Sequence, residues 1–303
     1  MSTVLADPWR TLAPRGPFCL DDQNAYLRWR DAKLRAVPPS LDVLVVEVAD
    51  PCSLTQAERA ALSQRLHRAN MALYASRAGA TDRDTPRSLG MQLGLERLDQ
   101  NHLADDDGIS SIRNGGDDAR REFIPYTDQP ISWHTDGYYN PPERRIRSMI
   151  LHCAQPAASG GVNCLLDHEL VYIALRDLDI RHIEALSAPD AMTIPARVDA
   201  GGVARDAQTG PVFWVEPGDG RLHMRYTART RSIAWNADPD TRAAVRQLEA
   251  ILRDPTPRRF SVRMESGMGL VCANVLHNRT GFTDDPDRPR LLFRARYHDA
   301  LDI

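Results

Sequence analysis

One short stretch constrains this chain more than any other: Trp133-His134-Thr135-Asp136-Gly137, together with a distant His277. On an extended strand residues i and i+2 point to the same face, so His134 and Asp136 share a side. Two imidazoles and one carboxylate can then meet around one metal ion. That requires a fold that returns His277 to a strand far earlier in the chain. A bare His-x-Asp triplet decides little, because a solvent-facing His beside a turn Asp is its common fate. The downstream half of the pattern changes the odds.

His277 is followed by Asn278-Arg279-Thr280-Gly281-Phe282 and then by Asp287-Arg288-Pro289-Arg290-Leu291-Leu292-Phe293-Arg294. Arg290 lies 290 − 277 = 13 residues after the second His. A strand over 290–298 places Arg290, Leu292, Arg294, Arg296 and His298 on one face. Leu291, Phe293, Ala295 and Tyr297 take the other face and pack against a second layer. Arginine does not give up its proton, so a buried guanidinium needs an anion. Three along one face, beside a metal, predict bound carboxylates. Two His and one carboxylate with open positions is the arrangement of non-haem Fe(II) oxygenases. Zinc hydrolases also use two His and a carboxylate. They do not require the arginine strand, and the helical His-Glu-x-x-His signature is absent.

Several motifs recur in a fixed order. Ile124-Pro125-Tyr126-Thr127 leads into Trp133 to Tyr138. Leu151-His152-Cys153 leads into Ser159-Gly160-Gly161-Val162-Asn163 and Leu166-Asp167. Arg225-Tyr226-Thr227 precedes Ile233-Ala234-Trp235, and Asn274-Val275-Leu276-His277 opens the run toward the arginines. On these residues, over roughly 40–298, the sequence resembles the TauD/TfdA family of Fe(II)- and 2-oxoglutarate-dependent dioxygenases, with a flavour of the gamma-butyrobetaine hydroxylase branch.

The resemblance implies a mostly β, α+β protein built on a double-stranded β-helix, or jelly roll. It implies Fe(II) held by His134, Asp136 and His277, with 2-oxoglutarate and O2 as co-substrates. Arg290 would hold the far carboxylate of 2-oxoglutarate, since a guanidinium binds a carboxylate bidentately. Asn163 stands where many relatives carry a hydroxyl residue that assists this contact, and an amide can still donate. Arg294 falls where relatives place an arginine near the C1 carboxylate or an anionic group of the substrate. Arg296 reads as structural or solvated. Trp133, Tyr138 and Tyr139 flank the metal motif and are candidates for substrate contact, since an aromatic face can hold an ammonium. Related halogenases lack the carboxylate, so the presence of Asp136 implies hydroxylation or desaturation of a small polar organic molecule, with succinate and CO2 released. A small organic acid, amino-acid derivative or sulfonate suits the family. Two other readings stay open: a catalytically idle protein that binds a metal and an organic acid, and a cupin-like metal-dependent hydrolase.

The formal net charge of −3 gives no argument for a nucleic-acid or acidic-membrane partner. The five cysteines are scattered, odd in number and free of Cys-x-x-Cys pairs, which reads as reduced thiols in the cytoplasm. No run approaches the roughly 18 apolar residues of a membrane span, and residues 1–17 lack the apolar centre of a secretory signal. A homo-oligomer is left open.

Along the chain, residues 1–40 read as an irregular arm followed by a helix over 21–35 that packs on the core. The rest, 41–303, reads as one jelly-roll domain. A strand is expected over 41–48 and a helix from a Ser53-Leu54-Thr55-Gln56 cap toward Arg77. Residues 102–121, rich in Asp, Gly and Asn, read as a surface loop, and a lid-like insertion is expected near 100–122. Further strands are expected over 145–154, 162–166, 259–262, 268–276 and 291–297. Helices are expected over 170–178 and, capped by Asp238 or Asp240, over 238–254.

Overall fold

The computed structural model describes residues 13, 15–78, 81–100, 107–115, 123–199, 202–229, 233–254 and 258–302. The chain forms two compact units. One comprises Met1–Arg35, Gly137–Arg145 and His168–Thr256; the other comprises Ala36–Asp136, Ile146–Asp167 and Pro257–Ile303.

The second unit carries the large sheets. The strands of those large sheets, in chain order, are β1 (Val45–Glu47), β2 (Met71–Ala75), β3 (Ser110–Ile112), β4 (Ile131–His134), β5 (Ser148–Gln155), β6 (Asn163–Leu166), β7 (Phe260–Val262), β8 (Met268–Cys272), β9 (Leu276–Arg279) and β10 (Leu291–Tyr297). Six of them form a sheet in the order β1-β2-β8-β5-β10-β3, and four form a second in the order β7-β6-β9-β4. Only β1 and β2 pair in parallel; every other pair is antiparallel.

Alternation along the strands divides the apolar residues between two cores. Leu151, Leu270 and Leu292 of the six-stranded sheet share one core with Leu165, Phe260 and Val262 of the four-stranded sheet. Their strand neighbours Ile150, Val271 and Phe293 point the other way, into a core with Leu62, Leu66 and Leu89. Those leucines come from the helices α2 (Gln56–Ala69) and α3 (Thr85–Gln92), α1 being Gln23–Ala36 in the first unit. Each fully buried Leu or Phe contributes about 2 kcal/mol, so a register slip that turned either set toward solvent would be costly.

Local chemistry corrects several expectations. Thr55 caps α2 as a reciprocal pair: the Glu58 N–H donates to Thr55 Oγ1 (3.2 Å), and the Thr55 N–H donates to Glu58 Oε2 (2.7 Å). The helix does not run on toward Arg77. Asn70 at φ 56° ends it with a left-handed residue, and Leu73 belongs to β2. Leu73 fits both a helical and an alternating pattern; the left-handed cap decides. The expected strand over 41–48 is one 3-10 turn, Leu41–Leu44, followed by β1. The turn lets Leu41, Leu44 and Val45 reach the same core, which strict alternation forbids. The expected strand over 268–276 is two, β8 and β9, broken at Asn274, which takes φ 49°.

Of the acidic loop, 101–106 and 116–122 lie outside the described residues. Within 107–115 the chain forms the edge strand β3, antiparallel to β10. Arg83 anchors it by donating to Asp107 Oδ1 (2.7 Å), Ile109 O (3.0 Å) and Ser111 Oγ (2.5 Å).

The first unit contains α1, α4 (His168–Leu178), α5 (Ile180–Leu186) and α6 (Pro239–Arg253), with short strands between 192 and 235. The Tyr26 hydroxyl on α1 donates to Asp177 Oδ1 on α4 (2.7 Å), and Lys33 pairs with Glu169. Asp238 caps α6 by accepting from the Thr241 N–H at 2.9 Å.

Gly269 on β8 shows how tightly the six-stranded sheet is packed. It lies opposite Tyr74 on β2 and His152 on β5. The Tyr74 ring crosses over it, so that its hydroxyl meets His152 Nδ1 at 2.8 Å. A methyl group at 269 would overlap the Tyr74 ring, which is fully buried. Gly269→Ala is expected to destabilise the protein by about 1–3 kcal/mol, the usual cost of overpacking a core. Urea unfolding of the variant against the parent checks this; an unchanged midpoint would refute it.

Candidate metal centre

β4 and β9 run antiparallel, and His134 stands directly opposite His277. Directly opposed residues on such a pair lie only about 4.5–5.5 Å apart at Cα and share a face. The two rings accordingly approach to 4.2 Å between centroids. Each imidazole is oriented by its own main chain. His134 Nδ1 lies 2.9 Å from the Ser132 carbonyl, and His277 Nδ1 lies 3.0 Å from the Val275 carbonyl. A carbonyl can only accept, so each Nδ1 carries the proton and each Nε2 keeps its lone pair. Those lone pairs are what a metal would take.

Asp136 lies just beyond the last paired residue of β4. Its Oδ1 is 3.6 Å from His134 Nε2 and 4.0 Å from His277 Nε2. These separations are too long for hydrogen bonds. Two donors each about 2.1 Å from one ion can be at most about 4.2 Å apart, and both distances fall inside that limit. The ligand atoms of all three residues lie within 4.8 Å of one another. The imidazole-rich, single-carboxylate donor set suits a first-row divalent ion such as Fe(II). Asp136 Oδ2 is buried without a hydrogen bond of good geometry, although Arg294 Nη1 stands 3.2 Å from it. Burial alone would raise the Asp136 carboxyl; the Arg294 guanidinium, then His134 and Arg296, hold it well below the ordinary range. Burial, with His134 beside it, pushes His277 down to about 4, so it is neutral and able to bind metal at ordinary pH.

A pocket in the same unit is lined by His134, His277, Asn163, Arg279, Arg290 and Arg294 over an apolar floor that includes Met149, Leu151 and Leu292. Four arginines of this region differ in what satisfies them. Arg296 donates to Asp99 Oδ2 at 2.5 Å, both side chains being buried, so of the two readings open to it, structural or solvated, it takes the structural one. Arg294 faces Asp136. Arg279 donates to the carbonyls of Thr127 (2.7 Å) and Gln129 (2.5 Å), and burial lowers it to about 9. Arg290 stacks on the Phe282 ring at 5.0 Å, and burial lowers it to about 10. Its Nη1 is buried and has no hydrogen-bond partner among the described residues. A buried guanidinium nitrogen with nothing to donate to is where an anion fits. Asn163, also buried, borders the same space; its amide donates weakly to the Gly161 carbonyl at 3.4 Å.

Trp133 precedes His134 on β4 and so projects to the opposite face, where Arg259 covers its ring at 5.2 Å. Tyr138 and Tyr139 belong to the first unit. They meet edge to face at 5.1 Å, with Arg205 over Tyr139 at 5.6 Å. Sequence reasoning gave no role to Asn274, Arg279 or Phe282. All three stand in the motif around His277, and their order there was the only available signal.

A family model described as "Taurine catabolism dioxygenase TauD, TfdA family" matches residues 36–296. A uridine-5'-phosphate dioxygenase of a Streptomyces species is 32% identical over 197 residues, which is 62% of this chain and 68% of that protein. A uridine-5'-phosphate dioxygenase of an Amycolatopsis species is 34% identical over 196 residues, 63% and 68% of the two chains. The crystal structure of AAD-2 in complex with Mn(II) and N-oxalylglycine is similar with a TM-score of 0.59 at 15% identity, covering 86% of this chain and 96% of that one. At that identity the likeness speaks for the fold alone. With the converged His-Asp-His group and a family match over most of its length, the chain belongs to the TauD, TfdA dioxygenase family and is an oxidoreductase of that class.

Proposed function

We propose that this protein is an Fe(II)- and 2-oxoglutarate-dependent oxygenase that hydroxylates or desaturates a small polar molecule. His134, Asp136 and His277 would hold the iron; Arg290, helped by Asn163, would hold the far carboxylate of 2-oxoglutarate. The observation that carries the reading is the pairing, in one pocket, of two imidazoles whose Nε2 lone pairs are left for a metal with a buried guanidinium nitrogen that has no hydrogen-bond partner among the described residues. When bound, iron with 2-oxoglutarate and O2 supplies the oxidising chemistry and releases succinate and CO2. The chain's own part is orientation, charge and exclusion of water. The two main-chain carbonyls fix the imidazole tautomers, and Arg294 keeps Asp136 ionised. The apolar floor under the guanidiniums lowers the local dielectric, which strengthens their hold on a carboxylate.

A double-stranded β-helix is the architecture we assign to the two sheets, supported by the likeness to AAD-2. The substrate class follows from charge and kinship. Arg294 offers a cation beside the metal ligands. Two relatives are named for uridine-5'-phosphate. A nucleoside monophosphate is therefore the first substrate to test, alongside small organic acids, amino-acid derivatives and sulfonates. None of the described helices is long and apolar enough to cross a membrane. The five free thiols suit a reducing, cytoplasmic setting.

With Fe(II), ascorbate and a suitable substrate, the protein is expected to convert 2-oxoglutarate to succinate, measured by chromatography. His134→Ala and Asp136→Ala are each expected to abolish turnover and tight metal binding; turnover at the parental rate in either would refute the ligand set. Arg290→Ala is expected to raise the 2-oxoglutarate KM by roughly 30-fold or more, the cost of truncating one partner of a buried charge pair. An unchanged KM would remove Arg290 from the co-substrate site.

A further inference from the structure

Asp136 has to hold its carboxylate toward two imidazoles although it lies outside the strand that carries His134. Past His134 the β4 ladder ends, so the buried main chain of Asp136 has no strand partner. Buried N–H and C=O groups need partners, and here one side chain supplies both. The Asp136 N–H donates to Asn274 Oδ1 at 2.7 Å. Asn274 Nδ2 donates to the Asp136 carbonyl at 2.9 Å and to the Ile146 carbonyl, also at 2.9 Å. The amide thus does for Asp136 what a neighbouring peptide does inside a sheet.

Two further features give this clasp its significance. Asp136 and Ile146 are the two stems of the excursion Gly137–Arg145, which belongs to the other compact unit. Asn274 holds both stems from within the unit that carries the metal group. The same short segment also orients the distal imidazole, because the Val275 carbonyl fixes His277 Nδ1. Asn274 adopts φ 49°, a left-handed conformation that Asn tolerates better than other side chains apart from Gly. That conformation breaks β8 from β9 and turns the buried amide back toward Asp136.

We infer that Asn274 is a positioning residue for the metal centre: it fixes the Asp136 main chain, so that the segment 274–277 both carries the distal imidazole and holds the residue that bears the carboxylate. This rests on the reading of His134, Asp136 and His277 as metal ligands. Asn274 touches no reacting group itself and acts through Asp136.

The test is Mn(II) titration of the full chain, followed by the EPR signal of free Mn(II), in the parent, Asn274→Gly and Asn274→Asp. Thermal unfolding of the metal-free proteins is measured beside it. Gly keeps the left-handed backbone and deletes the amide; Asp keeps the accepting oxygen and deletes the two donors. Mn(II) binding is expected to weaken about 10- to 100-fold in Asn274→Gly, the usual effect of removing a group that orients a ligand. The metal-free unfolding midpoint should shift by only a few degrees, and the visible bands of the Co(II) form should change shape as the carboxylate shifts. Parental Mn(II) affinity in both variants overturns the inference. Loss of cooperative unfolding in both also overturns it, by assigning Asn274 to the fold. A parent chain that binds no Mn(II) fails at the earlier step and sinks the metal reading itself.

Discussion

The opposition of His134 and His277 across β4 and β9 is the constraint on which the rest depends. A slip of one residue in that ladder would carry one imidazole to the other face of the sheet. What holds the register is not polar. β9 is central, with β6 on its other side, and His277 also pairs with Leu165, a fully buried member of the inner core. Leu276 beside it is fully buried too. Apolar packing beside His277 thus helps fix where the candidate metal ligands stand.

Charge is handled by the same economy. Guanidiniums buried in one region would repel one another unless each were answered. Main-chain carbonyls answer Arg279, Asp99 answers Arg296, and Asp136 answers Arg294. The Arg290 guanidinium stacks on the Phe282 ring, and its Nη1 has no hydrogen-bond partner among the described residues. Arg279 and Arg294 also keep a buried Nε without such a partner, so what marks Arg290 as the candidate co-substrate residue is that its terminal Nη1 is left over.

This explains what the sequence disclosed and what it withheld. The alternation of Leu291, Phe293, Ala295 and Tyr297 against Leu292, Arg294 and Arg296 is the observed strand β10, and Arg290, expected to open it, stands just before it. The His-x-Asp spacing with a distant His was legible because metal chemistry restricts residue type and separation together. The Asn70 and Asn274 turns were not legible: both residues sit inside apolar runs that read equally well as continuous elements, and only the left-handed backbone breaks them. Strand β3 was hidden for a different reason. Its three residues lie in a polar, glycine-rich stretch, and they are held there by pairing with β10 and by Arg83, both distant in sequence. The division into two units was equally invisible, since each is assembled from three separate pieces of chain.

Three side chains from two distant stretches of the chain, His134 with Asp136 and His277, converge to hold one ion beside a guanidinium nitrogen that has no hydrogen-bond partner among the described residues. Anomalous diffraction at the manganese edge, on crystals grown with Mn(II) and 2-oxoglutarate, tests this most directly. The account predicts one strong peak within bonding distance of Nε2 of His134, Nε2 of His277 and a carboxylate oxygen of Asp136, with the far carboxylate of 2-oxoglutarate on Arg290. A peak bound by other residues, or a co-substrate carboxylate lying away from Arg290, would contradict it.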